Sequence, residues 1–426
     1  MMKKRKQGVV IATCLALIAI IILSGCGQRG QDMKSQKDLM EGIAPGFVST
    51  DAVLTENGNE AAIDFSVKLF QQSYEPLENT LLAPMSVFYA LSMTANGAEG
   101  NTLTQMEDVL GMSTEESNNY AYAYRANLKT NDDCKVSIAN SVWFMNQEGF
   151  TVERDFLQNN ANYYGAGIYS VPFDKATMKA MNTWVDENTD GMVKDIVAEL
   201  PQEAVMYLIN TLAFDAQWEE IYEEYSIQQK IFTKEDGTEQ IAEMMHSEES
   251  KYLEDENTTG FMKSYLECDY AFVALLPNAG ITMEEYVASL SGEKITELMN
   301  HMQNVPVKTG MPKFEAEFES GMSGILKSMG MADAFDEEKA DFSGIGRYPN
   351  NNLFIDEVLH KTYIIVSDKG TKAGAATVVN VGVASEEGEM PEPKKVYLNR
   401  PFVYMIIDCK TNVPLFIGTV VDVENE

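Results

Sequence analysis

Side chains able to do chemistry are few and scattered in this 426-residue sequence. Its three histidines, His246, His301 and His360, lie far apart, so multi-histidine metal sites and most imidazole catalysis lack parts. Ser291 and Lys294 have the Ser-x-x-Lys spacing of penicillin-binding enzymes, and Lys308-Thr309-Gly310 follows, but no Ser-Asp-Asn element lies between them. A helix N-cap accounts for Ser291 more simply, because Glu293-Lys294-Ile295-Thr296-Glu297-Leu298-Met299 begins two residues after it. Acylation at Ser291 stays as the runner-up enzyme chemistry. Neither a Gly-x-Ser-x-Gly elbow nor a Gly-x-x-x-x-Gly-Lys-Ser/Thr phosphate loop occurs. The acidic groups Glu248-Glu249 and Glu254-Asp255-Glu256 lack the spacing of a calcium loop and are expected in solvated loops. No cofactor is expected, and the chain is not expected to be an enzyme.

One stretch has a different character. Ser367-Asp368-Lys369-Gly370-Thr371-Lys372-Ala373-Gly374-Ala375-Ala376-Thr377 is a run of small residues directly after the apolar Tyr363–Val366. It has too little turn chemistry for an ordinary loop and too little bulk for an ordinary strand. Small residues suit a strand that slides between two others already packed. As a strand, its period of two would send Thr371, Ala373, Ala375, Thr377, Val379 and Val381 to one face and Lys372 to the other. A glycine-alanine linker is the plain alternative.

The elements around it divide by position in the chain. Apolar residues at helical spacing predict helices over Asn59–Gln72, Ser86–Asn96 and Thr102–Leu110. Strands are predicted over Val136–Phe144, Gln202–Phe214, Ala271–Leu276, Leu353–Val366, Val396–Leu398, Phe402–Asp408 and Leu415–Val421. Helices early and strands late predict an α+β fold with large sheets and not a repeating βαβ pattern. The apolar fraction of 45% supports a folded chain. The balance of 32 basic against 65 acidic residues, a net charge of −33, makes nucleic acid and other polyanions improbable partners.

The first residues belong to export and not to the fold. Lys3, Lys4, Arg5 and Lys6 precede an uncharged apolar run from Val9 to Leu23, the layout of a secretory signal. The run is short for a membrane span and ends in Leu23-Ser24-Gly25-Cys26, which resembles the lipobox of bacterial lipoproteins. That resemblance implies cleavage of residues 1–25, lipid on Cys26, and a protein held by its lipid at the outer, extracellular face of a membrane. Removing the signal deletes four basic residues and no acidic one, which takes the net charge from −33 to −37. From there to about Glu56 the polar composition predicts a flexible tether, leaving one domain over residues 57–426. Cys134, Cys268 and Cys409 are too few for a disulfide framework and are expected as small buried residues.

From residue 57 to 426 the chain resembles the serpin family. The matching segments are Asn79-Thr80-Leu81-Leu82-Ala83-Pro84-Met85-Ser86, Asn96-Gly97-Ala98-Glu99-Gly100-Asn101-Thr102, Asn182-Thr183-Trp184-Val185, and Asn210-Thr211-Leu212-Ala213-Phe214 with Trp218. Later come Pro312-Lys313-Phe314, Ala340-Asp341-Phe342-Ser343-Gly344-Ile345, His360-Lys361, the small-residue run, and Asn399-Arg400-Pro401-Phe402.

The resemblance implies a metastable inhibitor with a large central sheet, further sheets, surrounding helices and an exposed reactive-centre loop over about residues 370–399. A serine protease attacks the loop, is acylated by it as the peptide bond breaks, and the cut loop inserts into the sheet and traps the enzyme covalently, a known example of sheet augmentation. Fourteen inserted residues, Thr371–Ala384, would carry the protease about 50 Å. The resemblance makes Gly370, Thr371, Lys372, Ala373, Gly374, Ala375, Ala376 and Thr377 the hinge. It makes Ser86, Asn210 and His360 the polar cluster where the sheet opens, and Trp218 the aromatic residue where insertion begins. The departures are Asp368 in place of a usual Glu, Ala83 in place of a usual serine, and extra length before Asn399.

Counting forward from the hinge puts the reactive bond at Ala384-Ser385, while counting back from Pro401 points near Met390-Pro391; Ala384 is preferred. Its small side chain after Val381-Gly382-Val383 suits a shallow pocket, so elastase-like or subtilisin-like proteases are the expected targets. The expected state is a monomer. The alternatives are a non-inhibitory binding or chaperone role and inhibition of cysteine proteases.

Overall fold

The computed structural model describes residues 37–48, 53–201, 204–348, 352–371 and 392–424. Two large sheets and a group of helices enclose three hydrophobic clusters, an α+β fold. The seven-stranded sheet has the spatial order β1 (Lys37–Asp38), β5 (Gly167–Val171), β3 (Cys134–Met145), β6 (Met206–Gln217), β15 (Gly370–Thr371), β14 (Glu357–Val366) and β12 (Phe314–Gly321). The second sheet runs β16 (Lys394–Tyr397), β11 (Gln303–Pro312), β8 (Glu239–Glu254), β9 (Thr258–Ser264), β10 (Tyr270–Pro277), β17 (Phe402–Asp408), β18 (Pro414–Val420) and β2 (Thr80–Leu82). Strand β7 (Ile227–Thr233) pairs with β8 beside this path. Strands β4 (Thr151–Val152) and β13 (Gly346–Arg347) form a small separate pair.

The helices are α1 (Glu56–Ser73), α2 (Pro84–Ala95), α3 (Gly100–Leu110), α4 (Thr114–Asn127), α5 (Arg154–Asn159), α6 (Lys175–Asn188), α7 (Met283–Ser289), α8 (Gly292–Asn300) and α9 (Ser323–Ser328). Thr55 caps α1 by accepting from Gly58 N–H, and the helix buries Ala62, Ile63, Phe65, Leu69 and Phe70. Pro84 fits the first turn of α2, where its missing N–H costs nothing. Every residue of α2 is buried, because it packs against β3 and β6 on one side and β18 on the other. Gly97, just after α2, has no room for a side chain: a Cβ there would stand 2.2 Å from Ile345 Cγ1. Gly344 N–H donates to Gly97 O at 3.1 Å, so two motifs far apart in sequence lock together.

The expected elements form, with shifted ends. The strand expected over Leu353–Val366 begins only at Glu357; Leu353 and Ile355 pack in the core instead. Glu248 and Glu249 correct the loop expectation, because they lie inside β8, opposite Lys308 and Val307 of β11. Glu254 ends that strand, and Asp255 turns the chain by accepting from Asn257 and Thr258 N–H at 2.7 and 2.8 Å. The cysteines are a second correction: among the described residues Cys134 is buried, but Cys268 is half-buried and Cys409 is exposed. Within the stretch expected as a tether, Lys37–Asp38 pairs with β5, and Leu39 N–H donates to Ile168 O at 2.8 Å.

Candidate functional site

The seven-stranded sheet is incompletely zipped at its centre. Strands β6 and β14 run parallel and pair from Tyr207 with Glu357 up to Asn210 with His360. Their described pairing stops there. At the far end β15 stands between them, with Gly370 opposite Gln217, and with Thr371 opposite Ala216 on one side and Val366 on the other. Strand β15 is antiparallel to both neighbours, so its own direction leads back toward Asn210 and His360.

At the point where β6 and β14 join, three side chains from α2, β6 and β14 meet. Ser86 Oγ donates to Asn210 Oδ1 at 2.8 Å. His360 Nδ1 lies 3.0 Å from the same oxygen, and Ala83 N–H donates to His360 Nε2 at 3.1 Å. A neutral imidazole protonated on Nδ1 satisfies both contacts. Burial alone pushes the His360 pKa from 6.5 down to about 3, since a charged ring would lose its hydration. Burial alternates along β14, which points His360 inward with Val358, Thr362, Ile364 and Val366.

Nearby, Asp356 Oδ2 accepts from Val205 and Met206 N–H at 2.5 and 2.8 Å and so caps the start of β6. Burial nonetheless pushes its carboxyl pKa up to about 6.

Trp218 marks the other end of the gap. Its indole is fully buried, stacks on Tyr265 with centroids 4.5 Å apart, and donates Nε1–H to Ser367 O at 2.8 Å. Trp218 N–H donates to Lys369 O at 2.9 Å. Tyr265 and Thr371 share a buried hydrogen bond of 2.6 Å between hydroxyls. Lys263 lies 4.5 Å from the Tyr222 ring centroid and pairs with Glu249 at 2.8 Å, almost wholly out of water. Asp368 takes a cation from β11–β12, with Lys313 Nζ at 3.0 Å, and its carbonyl accepts from Tyr222 N–H.

The structure therefore brings Ser86, Asn210 and His360 together, and sets Trp218 beside Gly370 and Thr371. Lys372, Ala373, Gly374, Ala375, Ala376, Thr377, Ala384, Ser385 and Cys26 lie outside the described residues. Tyr265, Lys263, Tyr222 and Asp356 were not singled out by sequence. Each is one tyrosine, lysine or aspartate among many, and only the sheet crossing brings them to the site. Ser291 is the N-cap of α8, accepting from Lys294 N–H at 3.1 Å, and Lys294 Nζ turns to Asp255 at 3.5 Å. Among the described residues, no group of three or more His, Cys, Asp or Glu side chains is placed to hold a metal ion.

The central sheet thus has β6 and β14 paired directly at one end and the two residues of β15 between them at the other. The serpin family model, described as a serine protease inhibitor, matches residues 60–423, and this chain belongs to the serpin family. It is 43% identical to a thermophilic serpin, tengpin, whose native-state crystal structure superposes with a TM-score of 0.86 over 91% of this chain and 100% of that one. The latent state of tengpin fits less well, with a TM-score of 0.76 at 41% identity over 89% of this chain and 100% of that one. A serpin-like protein of Methanosarcina mazei is 28% identical over 95% of this chain and 96% of its own length. Members of the family are generally inhibitors and not catalysts.

Proposed function

We propose that this protein inhibits serine endopeptidases as a suicide substrate, with elastase-like or subtilisin-like enzymes as targets. The observation that carries the proposal is the position of β15. Two residues already stand between parallel strands and run antiparallel to both. Continuing that strand would replace a parallel β6–β14 junction by two antiparallel ladders, which are the more stable pairing. Cleavage of the loop, which leaves its new C-terminal residue esterified to the protease serine, supplies the free end that continuation needs. The greater likeness to a native than to a latent serpin supports a sheet still able to accept the strand.

Cleavage is assigned to Ala384-Ser385, and no Arg or Lys lies between Lys372 and Lys394 to satisfy a trypsin-like pocket. The net charge of −33 favours encounter with basic proteases. Lipid on Cys26 would hold the monomer at the outer membrane surface. Incubation with neutrophil elastase or subtilisin should give a complex that survives a denaturing gel, together with a released peptide beginning at Ser385. Absence of a complex with either enzyme and with a papain-like protease would end the inhibitory reading, and a peptide beginning elsewhere would end the bond assignment.

A further inference from the structure

Two thiols lie at the β15 end of the seven-stranded sheet. Cys134 opens β3 and is fully buried, while Cys268 is half-buried in the turn between β9 and β10. Cys134 belongs to the hydrophobic cluster between the sheets and Cys268 packs against that cluster, close enough for each thiol to shift the other's ionisation. The two backbone segments are held together independently of the sulfurs. Asn131 Nδ2 donates to Glu267 O at 3.0 Å, Lys129 N–H donates to the Tyr270 hydroxyl at 3.2 Å, and Lys129 Nζ pairs with Asp269 at 2.5 Å. Cys134 is level with Ala216 of β6, which is itself the partner of Thr371.

The two sulfurs are unequal. Contact with Cys134 and the Tyr270 N–H hold the Cys268 thiol below the usual cysteine range, whereas contact with Cys268 and burial push Cys134 up. Cys268 is thus suited to attack a dissolved oxidant, and Cys134 to resolve the product from inside.

We propose that Cys134 and Cys268 form a reversible disulfide which, when closed, staples the β3–β6 half of the sheet to the β9–β10 turn and slows strand insertion. The oxidant is a small-molecule disulfide of the glutathione class. Cys268 loses its proton and its sulfur attacks one sulfur of that disulfide, whose S–S bond breaks and whose other half leaves as a thiolate and takes up a proton. Cys134 then loses its proton and attacks Cys268 Sγ, expelling the second small thiol. Two protein thiols and one disulfide become one protein disulfide and two thiols, and two electrons pass to the oxidant.

The mechanical effect follows from the pairing. Insertion must part β6 from β14 between Tyr207 and Asn210. Strand β3 is hydrogen-bonded to β6 over eleven residue pairs and moves with it, so anchoring Cys134 to the turn opposes the movement. This half of the proposal rests on the inhibitory reading above.

The full chain is treated with oxidised glutathione, and disulfides are mapped by mass spectrometry of peptides. The expected result is a single link between the Cys134 and Cys268 peptides that dithiothreitol reverses. A link from Cys268 to Cys409, whose N–H reaches Asp269 O at 2.7 Å, would overturn the pair, as would stable glutathione adducts or no reaction. Covalent complex formation with elastase or subtilisin should be slower by about tenfold or more in the oxidised protein. Reduction should restore it, and Cys134→Ser should abolish the difference. Equal rates in both states would overturn the regulatory role. If no complex forms in either state, the inhibitory reading fails, while the peptide map still decides the disulfide.

Discussion

Acidification should loosen the sheet junction at His360. The folded protein holds this imidazole neutral, with its pKa pushed from 6.5 to about 3 by burial. Below pH 6.5 the unfolded chain therefore takes up a proton that the folded chain refuses, and stability falls as pH falls. The contribution is fully present above pH 6.5, declines by about 1.4 kcal/mol per pH unit below it, and levels off near pH 3. Between roughly pH 7.5 and 4.5 the loss is about 2.6 kcal/mol, or roughly 3 °C in the unfolding midpoint of a domain this large.

Asp356 opposes it. Its carboxyl pKa is raised from 3.8 to about 6, so the stability from its neutral form is present below pH 3.8 and is lost as pH rises through 6. Comparison with His360→Gln cancels that and every other titration. Thermal unfolding of the two proteins at both pH values, at one scan rate, is the assay. The advantage of the parent over the variant should shrink by roughly 3 °C on acidification. An advantage equal at both pH values would refute the claim that folding holds His360 neutral.

Two further substitutions test the far end of the gap. Thr371 is fully buried against Tyr265, so Thr371→Arg would have to bury a charge where the strand enters. Proteases should then cleave the loop without being trapped, and the cleaved variant should gain less thermal stability than the cleaved parent; trapping at the parent's stoichiometry would contradict this. Lys263→Met leaves the Glu249 carboxylate, which also accepts from Ser247 Oγ at 2.6 Å, buried without its cation. It should cost about 3–5 kcal/mol in denaturant unfolding, and adding Glu249→Gln should recover much of that; strictly additive losses would show that the two are not coupled.

The helices and the fully buried strands were legible because each carries its own pattern. Phe402–Ile407 is apolar throughout, and the strand Phe402–Asp408 has the same bounds in the structure. Helix α4 was missed: its buried Tyr120, Ala121 and Tyr124 are set among Asn, Glu and Ser, and its start is fixed by a Ser113–Glu116 capping box and not by an apolar stripe. Strand β8 reads as a solvated segment because its pairing strand β11 lies far along the chain and because the cation for Glu249, Lys263, sits on the next strand.

The sequence by itself determined the charged-then-apolar pattern at the start of the chain, the α+β class, the small residues after Val366 and the family resemblance, all of which are local properties of residue type and order. Only the tertiary structure decided which residues meet. Ser86 and Asn210 are 124 positions apart, and Asn210 and His360 are 150 apart. Their contact depends on the register of β14 against β6, where a slip of one residue would turn His360 to the opposite face. The thiol pair of Cys134 and Cys268 depends in the same way on two sheets crossing. Local sequence sets what each strand can bury, and long-range register sets what it is buried against.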